Sequence, residues 1–135
     1  MVRTATLSAH VPAPPARVAA LLLEAPSPAL QARVGIADYR REGPDAWSFT
    51  QQGRRVRSRV ASRGPEGIVL ELDREGQVQR QAFTLQPGWR GGTRVTLTVE
   101  LAEDAPLLKV RAYLARTLAL LRERAREGPA PPPAL

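Results

Sequence analysis

The chain has 135 residues, no cysteine and a single histidine, His10. That excludes a disulfide scaffold, a thiolate or multi-histidine metal site and a cysteine nucleophile, and any Ser-His-Asp triad would have to use His10. The formal charge is +7 from 20 basic and 13 acidic residues, and Lys109 is the only lysine, every other basic residue being arginine.

Thr4 to Val11 alternates, with Ala5, Leu7, Ala9 and Val11 on one face and Thr4, Thr6, Ser8 and His10 on the other. Period two predicts a half-buried strand. Pro12, Pro14 and Pro15 stop it, and Pro14-Pro15 can open a short helix over 16–24, because proline is tolerated in a first helical turn. Val18, Leu21 and Leu22 would face inward. Pro26 and Pro28 break that helix, and residues 29–33 add one more turn.

From Val34 to Leu101, turn signals recur at Gly43-Pro44, Gln52-Gly53, Gly64-Pro65, Glu75-Gly76 and Gly91-Gly92. The runs between them are rich in Val, Thr and aromatics, which predicts a meander of six antiparallel strands. A two-residue turn at Gln52-Gly53 sets Phe49 opposite Val56 and Trp47 opposite Ser58. A second at Glu75-Gly76 sets Leu72 opposite Gln79, Leu70 opposite Gln81 and Ile68 opposite Phe83. Both registers keep one apolar face, which a one-residue slip would destroy. In strand 34–41 two phases stay open: Val34, Ile36 and Asp38 inward, or Ala37 and Tyr39.

Pro106 opens a long helix ending near Gly128. Leu107, Val110, Leu114, Leu118, Leu121 and Ala125 form its apolar stripe, with most arginines off it. The sheet needs a cover for its apolar face, and this helix is the only element long enough. Residues 1–127 are expected to form one domain, and the Pro-rich stretch 128–135 a disordered tail.

The segment Leu7-Ser8-Ala9-His10-Val11-Pro12-Ala13-Pro14-Pro15-Ala16-Arg17-Val18 resembles the passage from strand to first helix in the Bet v 1 / START-like superfamily, also called the polyketide cyclase/dehydrase and lipid-transport group. Gly91-Gly92-Thr93-Arg94-Val95-Thr96-Leu97-Thr98-Val99 resembles its G-T-x-V-t segment, and the element order is similar over residues 3–127. The chain is shorter than many members and is similar to short bacterial ones. The resemblance implies an α+β helix-grip fold, with a seven-stranded antiparallel sheet wrapped around the C-terminal helix. It also implies a cavity between sheet and helix, small or collapsed in a chain with so few aromatics.

Register proposes the cavity lining: Trp47, Phe49, Val56, Ser58, Val60, Leu70, Leu72, Gln79, Gln81, Phe83, Val95, Leu97 and Val99 from the sheet, and Val110, Leu114 and Leu118 from the helix. Gln79 and Gln81 are the informative members, since an inward amide must find partners in a ligand, water or main chain.

Five arginines between Arg54 and Arg63 invite a nucleic-acid reading. Register offers another account, pairing Arg59 with Glu71, Arg57 with Asp73, Arg55 with Glu75, and Arg80 with Glu71 on the outer face. A nucleic-acid partner is therefore disfavoured. Catalytic candidates are few: His10 sits on the polar phase, and Asp38 or Tyr39 would serve a cyclase- or hydratase-like reaction only from inside the cavity. No metal or cofactor motif is present. The leading expectation is non-catalytic binding of a small apolar or amphipathic ligand by a cytoplasmic monomer or homodimer without a membrane span. The alternatives are an interaction module binding a protein, ribosome or nucleic acid through its basic helix or sheet face, and an enzyme.

Overall fold

Alternating side chains build the sheet. The computed structural model, which describes residues 3–25, 27–64, 66–101 and 106–126, forms seven strands: β1 (Arg3–Val11), β2 (Ile36–Gly43), β3 (Ala46–Gln51), β4 (Arg54–Gly64), β5 (Gly67–Arg74), β6 (Gln77–Pro87) and β7 (Thr93–Leu101). They pair antiparallel in the order β1-β7-β6-β5-β4-β3-β2. The meander thus runs from β2 to β7, and β1 closes beside β7 from the far end of the chain. The Pro-rich stretch 128–135 lies outside the described residues.

Both predicted hairpin registers are present: Trp47 faces Ser58 and Phe49 faces Val56, while Ile68, Leu70 and Leu72 face Phe83, Gln81 and Gln79. The third hairpin carries an irregularity. Gly64 pairs with Gly67, and a bulge between Val60 and Ser62 takes up one extra residue, so that Arg59 meets Glu71 and Arg57 meets Asp73. Strand β2 holds a bulge of greater consequence. Register shifts between Ala37 and Arg40, and Asp38 takes a positive φ of 52°. The extra residue switches the inward phase in mid-strand. Ile36 packs on the core before it and Tyr39 after it, while Asp38 is exposed. Of the first phase only Ile36 holds, since Val34 ends the preceding helix and Asp38 is exposed; of the second only Tyr39 holds, since Ala37 is exposed.

The outer-face charge ladder is only partly formed. Arg59 donates to Glu71 from Nε at 3.0 Å and Nη2 at 2.5 Å, and Arg80 Nε lies 3.9 Å from the same carboxylate. Asp73 faces Arg57 in register, but its Oδ1 accepts from the Gly76 N–H at 2.8 Å and so closes the β5–β6 turn. The expected Arg55–Glu75 pair is replaced, because Glu75 sits in that turn with a positive φ. Arg55 instead donates to Ser48 Oγ at 2.6 Å and to the Asp38 carbonyl at 3.3 Å, which ties β4 across β3 to the bulge.

Helix α1 (Pro15–Leu23) buries Val18 and Leu21. Its last turn is held by Arg41, whose Nη1 donates to the Leu23 carbonyl at 2.6 Å. Helix α2 (Pro28–Val34) starts on Ser27, whose Oγ accepts from Leu30 N, and ends on Gly35 at φ 74°, a left-handed cap that glycine adopts without strain. Helix α3 (Leu107–Arg126) buries Leu114, Leu118 and Leu121 against β1, β7 and α1. Val110 and Ala125 are partly buried, whereas Leu107, placed in the stripe from spacing, is 42% exposed.

The two segments that carry the family resemblance meet in space. Val11 pairs with Thr93, and the fully buried Thr93 hydroxyl donates to the Ala13 carbonyl at 2.7 Å. His10 Nε2 lies 3.0 Å from the Trp89 carbonyl, and its ring covers Gly92 so closely that a Cβ there would collide with it and with Val11 O at 2.8 Å. Sheet, two short helices and a long terminal helix on the inner face make this an α+β helix-grip fold.

Leu114 is fully buried at the centre of the helix–sheet contact. Leu114→Ala should cost about 2–5 kcal/mol in a denaturant titration, and Leu114→Asp, which buries an unpaired charge, should abolish the cooperative transition.

Candidate ligand-binding site

Strand alternation places one polar row inside the apolar sheet. Gln79 and Gln81 follow the inner phase of β6, opposite Leu72 and Leu70. Gln81 is 3% exposed and uses both amide hydrogens, donating to Gln79 Oε1 at 3.2 Å and to the Tyr113 hydroxyl at 2.6 Å. Tyr113 comes from α3, one turn after Val110. Over its ring, 5.6 Å from the centroid, stands the guanidinium of Arg74. Arg74 continues the inner row of Ile68, Leu70 and Leu72 and faces Val56. A guanidinium over a phenol ring is attracted by the ring's electron-rich face.

This polar cluster sits where two half-open grooves meet. The first, about 420 Å³, lies at the β5–β6 turn and the start of α3; Leu72, Gln79, Leu101 and Val110 line it together with Arg74 and Glu100. The second, about 540 Å³, lies between α2, the β3–β4 turn and α3, and is lined by Arg33, Val34, Gln51, Gln52, Arg74, Tyr113, Arg116, Thr117, Ala119, Leu120 and Glu123. Arg74 lines both. Such volumes fall within the roughly 300–1,000 Å³ of small-molecule sites.

The predicted lining divides accordingly. Leu72, Gln79 and Val110 line the first groove. Trp47, Phe49, Val56, Leu70, Phe83, Val95, Leu97, Val99, Leu114 and Leu118 are packed into the core cluster, with Val60 against it. Ser58 and Gln81 are buried polar groups on the inner face. The residues that sequence reasoning missed are Tyr113 and Arg74. Both signals were present: Arg74 is two residues beyond Leu72 on the same strand phase, and Tyr113 is three residues beyond Val110 on the helix stripe.

The catalytic candidates lie elsewhere. Asp38 is exposed on the β2 bulge, and Tyr39 packs on the core; neither lines a groove. His10 is exposed and engaged with the Trp89 carbonyl. Among the described residues no group of three or more His, Cys, Asp or Glu side chains could hold a metal ion, and no helix is long and apolar enough to cross a membrane.

Tyr113→Phe should destabilise the fold by about 1–3 kcal/mol, because it strands an amide hydrogen of the buried Gln81. The double variant Gln81→Leu with Tyr113→Phe should cost less than the two single changes added together. A double-mutant cycle in urea measures that difference.

The sequence matches no family model and no curated protein. Solved structures resemble it closely in shape. The KanY protein superposes with a TM-score of 0.68 at 16% identity, over 95% of this chain and 99% of that one. Ara h 8.0201 gives 0.66 at 12% identity, over 95% and 100%. CalU16 from Micromonospora echinospora gives 0.64 at 17% identity, over 96% and 78%. At these identities the likeness is one of architecture, and the chain has the Bet v 1-like helix-grip fold.

Proposed function

We propose that the protein binds a small apolar or amphipathic molecule between its sheet and α3, without catalysis. The observation that carries this reading is the cluster Gln79–Gln81–Tyr113, set among apolar side chains where two grooves converge. Apolar walls supply affinity, and a few fixed polar groups orient the ligand. After the internal bonds are made, the Tyr113 hydroxyl hydrogen and the Gln79 amide N–H groups have no acceptor among the described residues. They are free to donate to a bound molecule. An amide and a phenol hydroxyl offer directed donors at fixed positions, which suits orienting a ligand. A likeness to ligand-binding folds supports the same reading.

The basic surface favours a structural role over a polyanion site. Glu71 engages Arg59 and Arg80, Arg33 is paired with Glu123, and an Arg124 guanidinium N–H donates to the Glu24 carbonyl at 2.7 Å.

The neutral fluorophore N-phenyl-1-naphthylamine should gain emission on binding and raise the melting temperature. Ala119→Trp, at an exposed alanine lining the larger groove, should abolish the gain while leaving the fold's own transition in place. Equal emission with and without the tryptophan would remove the groove as the site.

A further inference from the structure

The larger groove is electrically one-sided. Three arginines line it, Arg33, Arg74 and Arg116, against one carboxylate, Glu123. That carboxylate is already bound to Arg33. Arg74 and Arg116 are left facing the same concavity with no carboxylate partner among the described residues. Arg74 is partly buried and held over the Tyr113 ring. Arg116 stands one helical turn beyond Tyr113 on α3, so the two cations arrive from opposite walls, one from the sheet and one from the helix.

This arrangement suits an anion better than a neutral head. A guanidinium offers a planar fork of N–H donors that matches a carboxylate in two-point contact. A concave, partly apolar wall strengthens the attraction by excluding part of the solvent that would screen it. Val34 and Leu120 line the same groove and can take an aliphatic chain or ring. The Tyr113 hydroxyl adds a neutral donor beside the charged ones.

Resting on the ligand-binding reading above, we infer that the groove between α2 and α3 selects amphipathic carboxylates, with the head group between Arg74 and Arg116 and the apolar body along Val34 and Leu120. Arg33 is not part of the recognition, because Glu123 holds it.

Dodecanoate and 1-dodecanol, equal in chain length, separate head from tail. Each is titrated against the protein loaded with N-phenyl-1-naphthylamine in about 0.15 M salt, where charges more than about 8 Å apart in solvent are screened. Dodecanoate is expected to displace the fluorophore at a concentration at least about ten-fold below that of the alcohol, a difference near 1.4 kcal/mol. In Arg116→Gln, at an exposed helix position, the advantage should shrink several-fold, and in Arg74→Gln with Arg116→Gln it should vanish, the acid then displacing no better than the alcohol. Equal displacement by acid and alcohol, or an advantage that survives the double variant, would overturn the inference and leave the ligand-binding reading standing. Failure of both to displace a fluorophore that still binds would overturn the inference alone, and no emission gain on adding the fluorophore would overturn both.

Discussion

Burial of three leucines sets the geometry of everything else. Leu114, Leu118 and Leu121 lie at 0–3% exposure where α3 crosses β1, β7 and α1. Each contributes about 1.5–3 kcal/mol of apolar burial, and they are the largest apolar anchors of the twenty-residue helix on the sheet. Because that contact lies toward the β1–β7 side, α3 approaches β5 and β6 through long side chains. Tyr113 reaches Gln81, and Arg74 reaches Tyr113. The grooves are the space those side chains bridge but do not fill.

Much of this was legible from residue pattern because strand pairing obeys period two. The turns at Gln52-Gly53 and Glu75-Gly76 determine register to the residue, and with it the inward position of Gln79 and Gln81. Bulges are where such reasoning stops. The one at Asp38 depends on a single residue adopting positive φ, which no alternation pattern reveals. It is also why neither phase of β2 could be chosen. The charge ladder is incomplete for a related reason: Asp73 accepts from a turn amide, whereas a pair with an exposed arginine is worth only about 0.2–1 kcal/mol.

The site was legible in chemistry but not in location. Inner-face apolar residues were expected to wall a cavity, yet most are tightly packed, and the open space lies at the margins of α3. Register says which face a side chain takes. It does not say how far a helix stands off from that face, which depends on tilt and on bulky groups such as Tyr113. The two motifs behind the family resemblance prove to be one junction, where Thr93 and Gly92 receive Ala13 and His10. That junction positions the start of α1 and has no direct part in the grooves.

The pairing of β1 with β7 joins residues about ninety positions apart, whereas each meander hairpin closes between neighbours. Closing long loops is slow and entropically costly, while short hairpins form quickly. During synthesis, the first strand must therefore wait without its partner until Thr93–Leu101 has emerged, and the covering helix follows later still. Its alternation of small residues with threonine and serine gives that waiting segment little bulky apolar surface with which to pair wrongly.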